Sequence, residues 1–177
     1  MQFNLVPHPS TPPAEPPFNL WATVDHAASL GAVATTNIWF GVSAPAERFV
    51  IPPVAEPRRT DELWRTTCFE AFLSPDGSAA YREWNFAPDG NWAAYDFSDY
   101  RERLGNADVR PPYIRMEDNF TWWTVGATIA PDAATHWDLG LSAVIEERDG
   151  TKSYWALTHS SEKPDFHARD CFVAKLP

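Results

Sequence analysis

The sequence predicts an all-β fold, an antiparallel β-sandwich with at most one short helix, and three observations carry that reading. Two Pro-Asp-Gly turns, Pro75-Asp76-Gly77 and Pro88-Asp89-Gly90, cut residues 63–100 into three aromatic-rich runs, the pattern of a three-stranded meander. On either side of that stretch apolar and polar residues alternate at period two, which gives strands with one buried face. Nine tryptophans and 14% aromatic residues supply large rings for a core between two sheets. The 177 residues, 44% of them hydrophobic, suffice for one sizeable core. A single domain over residues 1–177 is therefore expected, with residues 1–20 as an extended, Pro-rich entry strand and crossing.

Taken in order, Phe3, Leu5 and Pro7 alternate with Asn4 and Val6 in a first strand that stops in proline. Residues 10–17 are too rich in proline for a helix and read as an extended crossing. Residues 21–26, WATVDH, form a short strand-like run, and Ser29-Leu30-Gly31 breaks the chain after it. Within residues 32–44, Ala34, Thr36, Ile38, Phe40 and Val42 share one face while Thr35, Asn37 and Trp39 share the other, a half-buried strand. Residues 47–51 are expected as another short strand ended by Pro52-Pro53. In the charged connection that follows, Arg58 and Arg59 either solvate the loop or reach a polar ligand.

After the meander, Ser98 is placed to cap the one short helix, running to Arg103 or Leu104 and ended by Gly105-Asn106. Residues 120–130, 137–146 and 152–158 are three further strand-like runs, separated by turns at Pro131-Asp132 and Arg148-Asp149-Gly150. These three are expected to make a second one-sided sheet that buries its apolar face against the first. A polar loop over residues 159–170 leads to a closing strand over residues 171–176.

The balance of 14 basic against 24 acidic residues, a formal charge of −10, excludes nucleic acid as a partner, since nothing offers a basic stripe to phosphates. It disfavours anionic membranes for the same reason. Residues 1–17 lack a basic stretch followed by an apolar one, and no run of about 18 apolar residues occurs, so a cytoplasmic location and no membrane partner are expected. Cys68 and Cys171, without a secretory context, are expected as buried free thiols. The sequence leaves the oligomeric state open.

With Phe69, Ala71 and Leu73 in the core, Cys68, Glu70 and Phe72 take the opposite face; on the next strand Trp84 and Phe86 inward send Tyr81, Glu83 and Asn85 outward. Glu70 and Asn85 beside an aromatic wall suit a sugar, whose hydroxyls seek carboxylate and amide partners and whose C–H face lies on an indole. The competing reading pairs Glu70 with Arg82 in a structural ion pair. Trp64, between a loop and a strand, reads as an exposed platform, whereas Trp123, Trp137 and Trp155 sit in core registers. Lys163, Asp165, Phe166, His167 and Arg169 crowd one loop after His159, a place where binding groups collect.

No nucleophile elbow, phosphate loop or zinc-protease helix is found, so no enzyme activity and no cofactor are expected. Glu70 and Glu83 as a glycosidase pair are a minor alternative. Asp76, Asp89, Asp96 and Asp99 have oxygens for calcium, but Asp76 and Asp89 are explained by their turns. A haem between Met116 and His159 or His167 is a further alternative. The five histidines lack zinc spacing.

The blocks LWRTTCFEAFL, YREWNFAPDGNWAAYDFSDYR and YWALTHSSEKPDFHARDCFV resemble the DOMON-like domains related to family 9 carbohydrate-binding modules, over roughly residues 57–176. The resemblance implies a jelly-roll-like sandwich that grips a sugar between two aromatic rings with a carboxylate from the strand after the first. Carried over by position, Trp64 is the first ring, Glu70 the carboxylate, Asn85 a partner on the adjacent strand and Phe166 a substitute for the second ring. Arg82 and His167 complete the expected ligand-binding set. The wider family also implies haem binding as one alternative. A protein-interaction patch that includes Trp39 and Trp122 is another.

Overall fold

A computed structural model describes residues 1–27, 34–54, 56–131 and 136–176 of the protein. One sheet orders β1 (Gln2–Pro7), β2 (Leu20–Ala27), β3 (Thr35–Val42), β9 (Trp123–Ile129) and β8 (Tyr113–Asp118). A second orders β7 (Arg103–Asn106), β6 (Trp92–Phe97), β5 (Tyr81–Phe86), β4 (Cys68–Pro75), β10 (Trp137–Glu146) and β11 (Lys152–Ala156), with β12 (Ala174–Leu176) beside the start of β10. All strand pairs are antiparallel. Residues 2–5 of β1 pair with β2 and residues 6–7 pair with β11, so this one strand passes from the first sheet to the second. Among the described residues the remaining regular structure is three short 3-10 turns.

The expected inward register holds throughout. Ile38, Phe40 and Val42 of β3 and Trp123, Val125, Ala127 and Ile129 of β9 face Phe69, Ala71 and Leu73 of β4 and Leu139, Leu141 and Ala143 of β10 across the main core. Phe40 stacks on Phe69 with ring centroids 5.0 Å apart, and Phe69 meets Trp123 edge-on at 5.6 Å. Burying such a side chain contributes about 1.5–3 kcal/mol, against about 0.2–1 kcal/mol for a cross-strand pair. Core packing therefore decides which face turns inward. Trp137 and Trp155 join this core as expected.

Several local expectations are corrected. The proposed helix after Ser98 is a tight turn leading into β7: the Ser98 N–H donates to the Glu102 carbonyl at 3.0 Å, and Arg101 adopts φ 56°, which ends any helical path. Residues 47–51 make no strand; Ala46–Arg48 is a 3-10 turn followed by a single bridge from Phe49 to Glu147. The closing strand is confined to Ala174–Leu176, because Arg169–Cys171 winds into a 3-10 turn. The three runs of the second half divide between the sheets: β9 joins β3, while β10 and β11 extend the meander's own sheet. The break at Ser29-Leu30-Gly31 and Asp132 of the Pro131-Asp132 turn lie outside the described residues.

Both meander turns form as expected, with Gly77 at φ 74° and Gly90 at φ 92°, where glycine avoids the strain a side chain brings. A second apolar cluster covers the outer face of the meander's sheet. There Phe72, Tyr81 and Phe97 pack under Phe172 and half-buried Phe166 from the loop over residues 159–173. Cys68 and Cys171 are buried free thiols within it. The middle of β10 is accordingly apolar or small on both sides, from Leu139 to Ile145, with Gly140 beneath the Phe172 ring.

Candidate functional site

The outer cluster leaves one end of the sheet uncovered, and a cleft of about 750 Å³ opens there. Its floor crosses five strands. Tyr95 and Phe97 come from β6, Glu83 from β5, Glu70 from β4, Val144 from β10 and Tyr154 from β11. The strand alternation that sends Trp84 and Phe86 into the core delivers Glu83 and Glu70 to this face. The walls are loop-built. Leu63 anchors the 3-10 turn Leu63–Arg65 in the outer cluster, so that Trp64 stands out over the cleft at 38% exposure. Phe166 and His167 come from the loop on the other side, and Arg101 and Arg103 from the β6–β7 corner.

Both floor carboxyls are almost wholly buried. The Ser142 hydroxyl, directly across from Glu70 on β10, donates to its Oε2 at 3.0 Å. Burial, reinforced by the charge of Glu83 and opposed by that hydroxyl, pushes the Glu70 carboxyl up to about 8. Burial likewise raises Glu83, against the Asn85 amide that donates to its Oε1 at 2.6 Å. Asn85 is itself fully buried and takes a hydrogen bond from the Cys68 thiol at 3.5 Å. It therefore orients Glu83 from beneath the floor.

His167 is wedged between Phe72 and Phe97. Burial and the nearby Arg101 charge lower it to about 4, so it is a neutral imidazole at pH 7. The Tyr81 hydroxyl accepts the Arg101 N–H at 3.1 Å and lies 2.8 Å from His167 Nδ1. The other ring nitrogen, Nε2, faces Glu83 Oε2 at 3.7 Å, longer than a hydrogen bond. Asp165 fixes the loop by accepting from the Tyr100 hydroxyl at 2.6 Å and Arg101 at 2.7 Å. Burial works against the Asp165 charge, but these two partners hold the carboxyl below its ordinary range.

No family model matches the sequence, and no curated protein aligns with it. Two solved structures resemble the fold. A Bacteroides uniformis protein named for carbohydrate binding superposes with a TM-score of 0.60 at 13% identity, over 99% of this chain and 84% of its own. A family 9 carbohydrate-binding module from Caldicellulosiruptor kristjanssonii, solved in complex with glucose, gives 0.50 at 12% identity, over 89% and 75%. The likeness is one of fold.

Of the residues predicted from sequence, Trp64, Glu70, Phe166 and His167 line the same cleft, and Asn85 supports it from below. Arg82 is set apart: it lies on the core-side register of β5, pairs with Asp96 at 2.6 Å and borders a separate smaller cavity. The alternative ion pair between Arg82 and Glu70 is thereby replaced by Arg82–Asp96. Arg59 neither solvates its loop nor reaches the cleft; it donates to the Ala94 and Ala107 carbonyls at 3.2 and 2.8 Å over the Trp92 ring. Met116 lies on β8 in the opposite sheet, packed against the main core, and His167 lies in the outer cleft, while His159 Nε2 donates to the Val6 carbonyl at 2.9 Å. Trp39 and Trp122 share the outer face of the first sheet, with Arg115 over the Trp39 ring at 4.5 Å.

Sequence reasoning missed Tyr95, Tyr154, Arg101, Arg103 and Lys152 as cleft residues. Tyr95 carried a signal in its odd-numbered register, shared with Phe97 and opposite Glu83. Arg101 and Arg103 had none, because the expected helix gave them another direction.

Proposed function

We propose that the chain is a non-catalytic binding module that takes a sugar in this cleft, as its distant fold relatives do by name. Trp64 and Phe166 are the stacking rings, Glu70 and Glu83 meet hydroxyls on the floor, and His167 Nε2 is a further hydrogen-bonding group. The observation that carries the reading is the convergence of an exposed indole with two buried carboxyls in one cleft. Aromatic rings bind the C–H face of a pyranose, and carboxyl groups give both donor and acceptor when one proton is held. A binding role is in keeping with the carbohydrate-binding names of the two fold neighbours, and Glu70 and Glu83 are read as hydroxyl partners rather than as a hydrolytic pair. Location in the cytoplasm and a one-domain organisation belong to the same proposal.

The test is intrinsic fluorescence during titration with mono- and disaccharides, with Trp64→Ala alongside. A saturable change in the native protein and one about fivefold weaker in the variant are expected, since stacking on one ring contributes on the order of 1 kcal/mol. A titration that is identical in both proteins removes Trp64 from the site.

A further inference from the structure

We propose that the sugar bound in this cleft carries an anionic group, held by the guanidinium groups of Arg101 and Arg103 while its hydroxyls meet the Glu70–Glu83 floor. The proposal rests on the sugar-binding reading above and narrows its ligand class. The chain has only 14 basic residues against 24 acidic ones, yet Arg65, Arg101, Arg103 and Lys152 all line this one cleft. Each has an acid beside it: Glu62 by Arg65, Asp165 by Arg101, Asp61 by Arg103 and Glu146 by Lys152. None of those four acids lines the cleft, and the two that do are the buried floor carboxyls. Four cationic side chains therefore line a cleft whose floor is suited to neutral hydroxyls.

Arg103 is the better placed of the pair. Its guanidinium lies 3.9 Å from the Tyr95 ring centroid, which fixes its plane over the floor. One nitrogen donates to Asn106 Oδ1 at 2.8 Å, while Asp61 is 3.9 Å away, beyond a hydrogen bond. An arginine has five N–H donors in a rigid fork, so most of those on Arg103 remain for a ligand. Arg101 is half-exposed beside it and keeps one nitrogen on Asp165 at 2.7 Å. Carboxylates and phosphates match such a fork in geometry as well as charge.

Calorimetry on the full chain at pH 7 compares glucose with glucuronate, galactose with galacturonate, and glucose with glucose 6-phosphate. Binding of an acidic member at least tenfold tighter than its neutral parent is expected, with the gap collapsing in Arg103→Gln and partly restored in Arg103→Lys. Circular dichroism confirms that each variant is folded; Arg101→Gln provides a second variant from a different element. A preference for glucose 6-phosphate alone identifies the anionic group as a phosphate, and a preference for the uronates identifies a carboxylate. Neutral sugars that bind as tightly as their acidic partners overturn this proposal and leave the sugar reading standing. Folded protein that binds no saccharide overturns both.

Discussion

Glu70 shows how a single residue's position turns into a measurable property of the fold. Its folded-state carboxyl titrates at about 8, whereas in the unfolded chain it has its ordinary value of 4.5. Between those values the folded protein holds a proton that the unfolded chain has released, so stability is fully present below pH 4.5 and declines as pH rises through 8. Glu83 is raised in the same direction and adds to the slope. Gln at position 70 stays neutral and still accepts the Ser142 hydroxyl, so Glu70→Gln should gain on the native protein as pH rises. Melting curves from pH 5 to 9 should diverge by an amount on the order of a few kcal/mol. Parallel curves would mean that Glu70 is ionised in the folded state. The residue was visible in the sequence as a carboxylate inside an aromatic strand. Its protonation was not, because that depends first on burial by the folded chain and then on Glu83, diagonal to it on the neighbouring strand, against the hydroxyl of Ser142 72 positions away in sequence.

Elements differ in how far local sequence specifies them. The meander of β4, β5 and β6 was legible because its glycine turns and its alternation lie within forty residues and specify each other. Sheet membership in the second half was not: β9 and β10 both alternate, but which earlier strand each meets, β3 or β4, is set by packing across the core. β8 went unseen because its exposed Arg115, Glu117 and Asp118 conceal the period, a composition that suits an edge strand which must not recruit another chain. Cleft walls are less legible still, since they are loops held by contacts such as Phe172 lying over Gly140. A Cβ on Gly140 would sit 2.7 Å from Phe172 Cδ1 and 3.4 Å from the Cys171 carbonyl oxygen. Gly140→Ala should therefore push the 159–173 loop off the sheet, at a cost of about 1–3 kcal/mol. Because that loop carries Phe166 and His167, ligand affinity should fall together with the melting temperature. An unchanged melting temperature would mean that Phe172 does not pack on this strand.

At the scale of the whole molecule, the two sheets are held together by the apolar interface and by β1, a strand that pairs in both. Its first half extends β2 at Leu5↔Leu20 and its second half extends β11 at Val6↔Ala156, with Leu5 buried in the main core. The cleft borders the same arrangement: β11 carries Tyr154 and Lys152 on the cleft floor and mouth, and β1 is its neighbour. Removing residues 1–8 strips β11 of that neighbour and removes Leu5, a side chain whose loss from a core costs about 2–5 kcal/mol on its own. It also takes away His8, which reaches the Ser161 carbonyl at 3.0 Å and so ties the crossing to the binding loop. The truncated chain should melt at a clearly lower temperature than any of the single substitutions above. If it stays folded at low temperature, its remaining binding should be weakened at the Tyr154 end of the cleft while the Arg103 preference for an acidic sugar persists. A truncated chain with native melting and native affinity would show that the core interface alone holds the sheets in place, and that β1 is only laid across them.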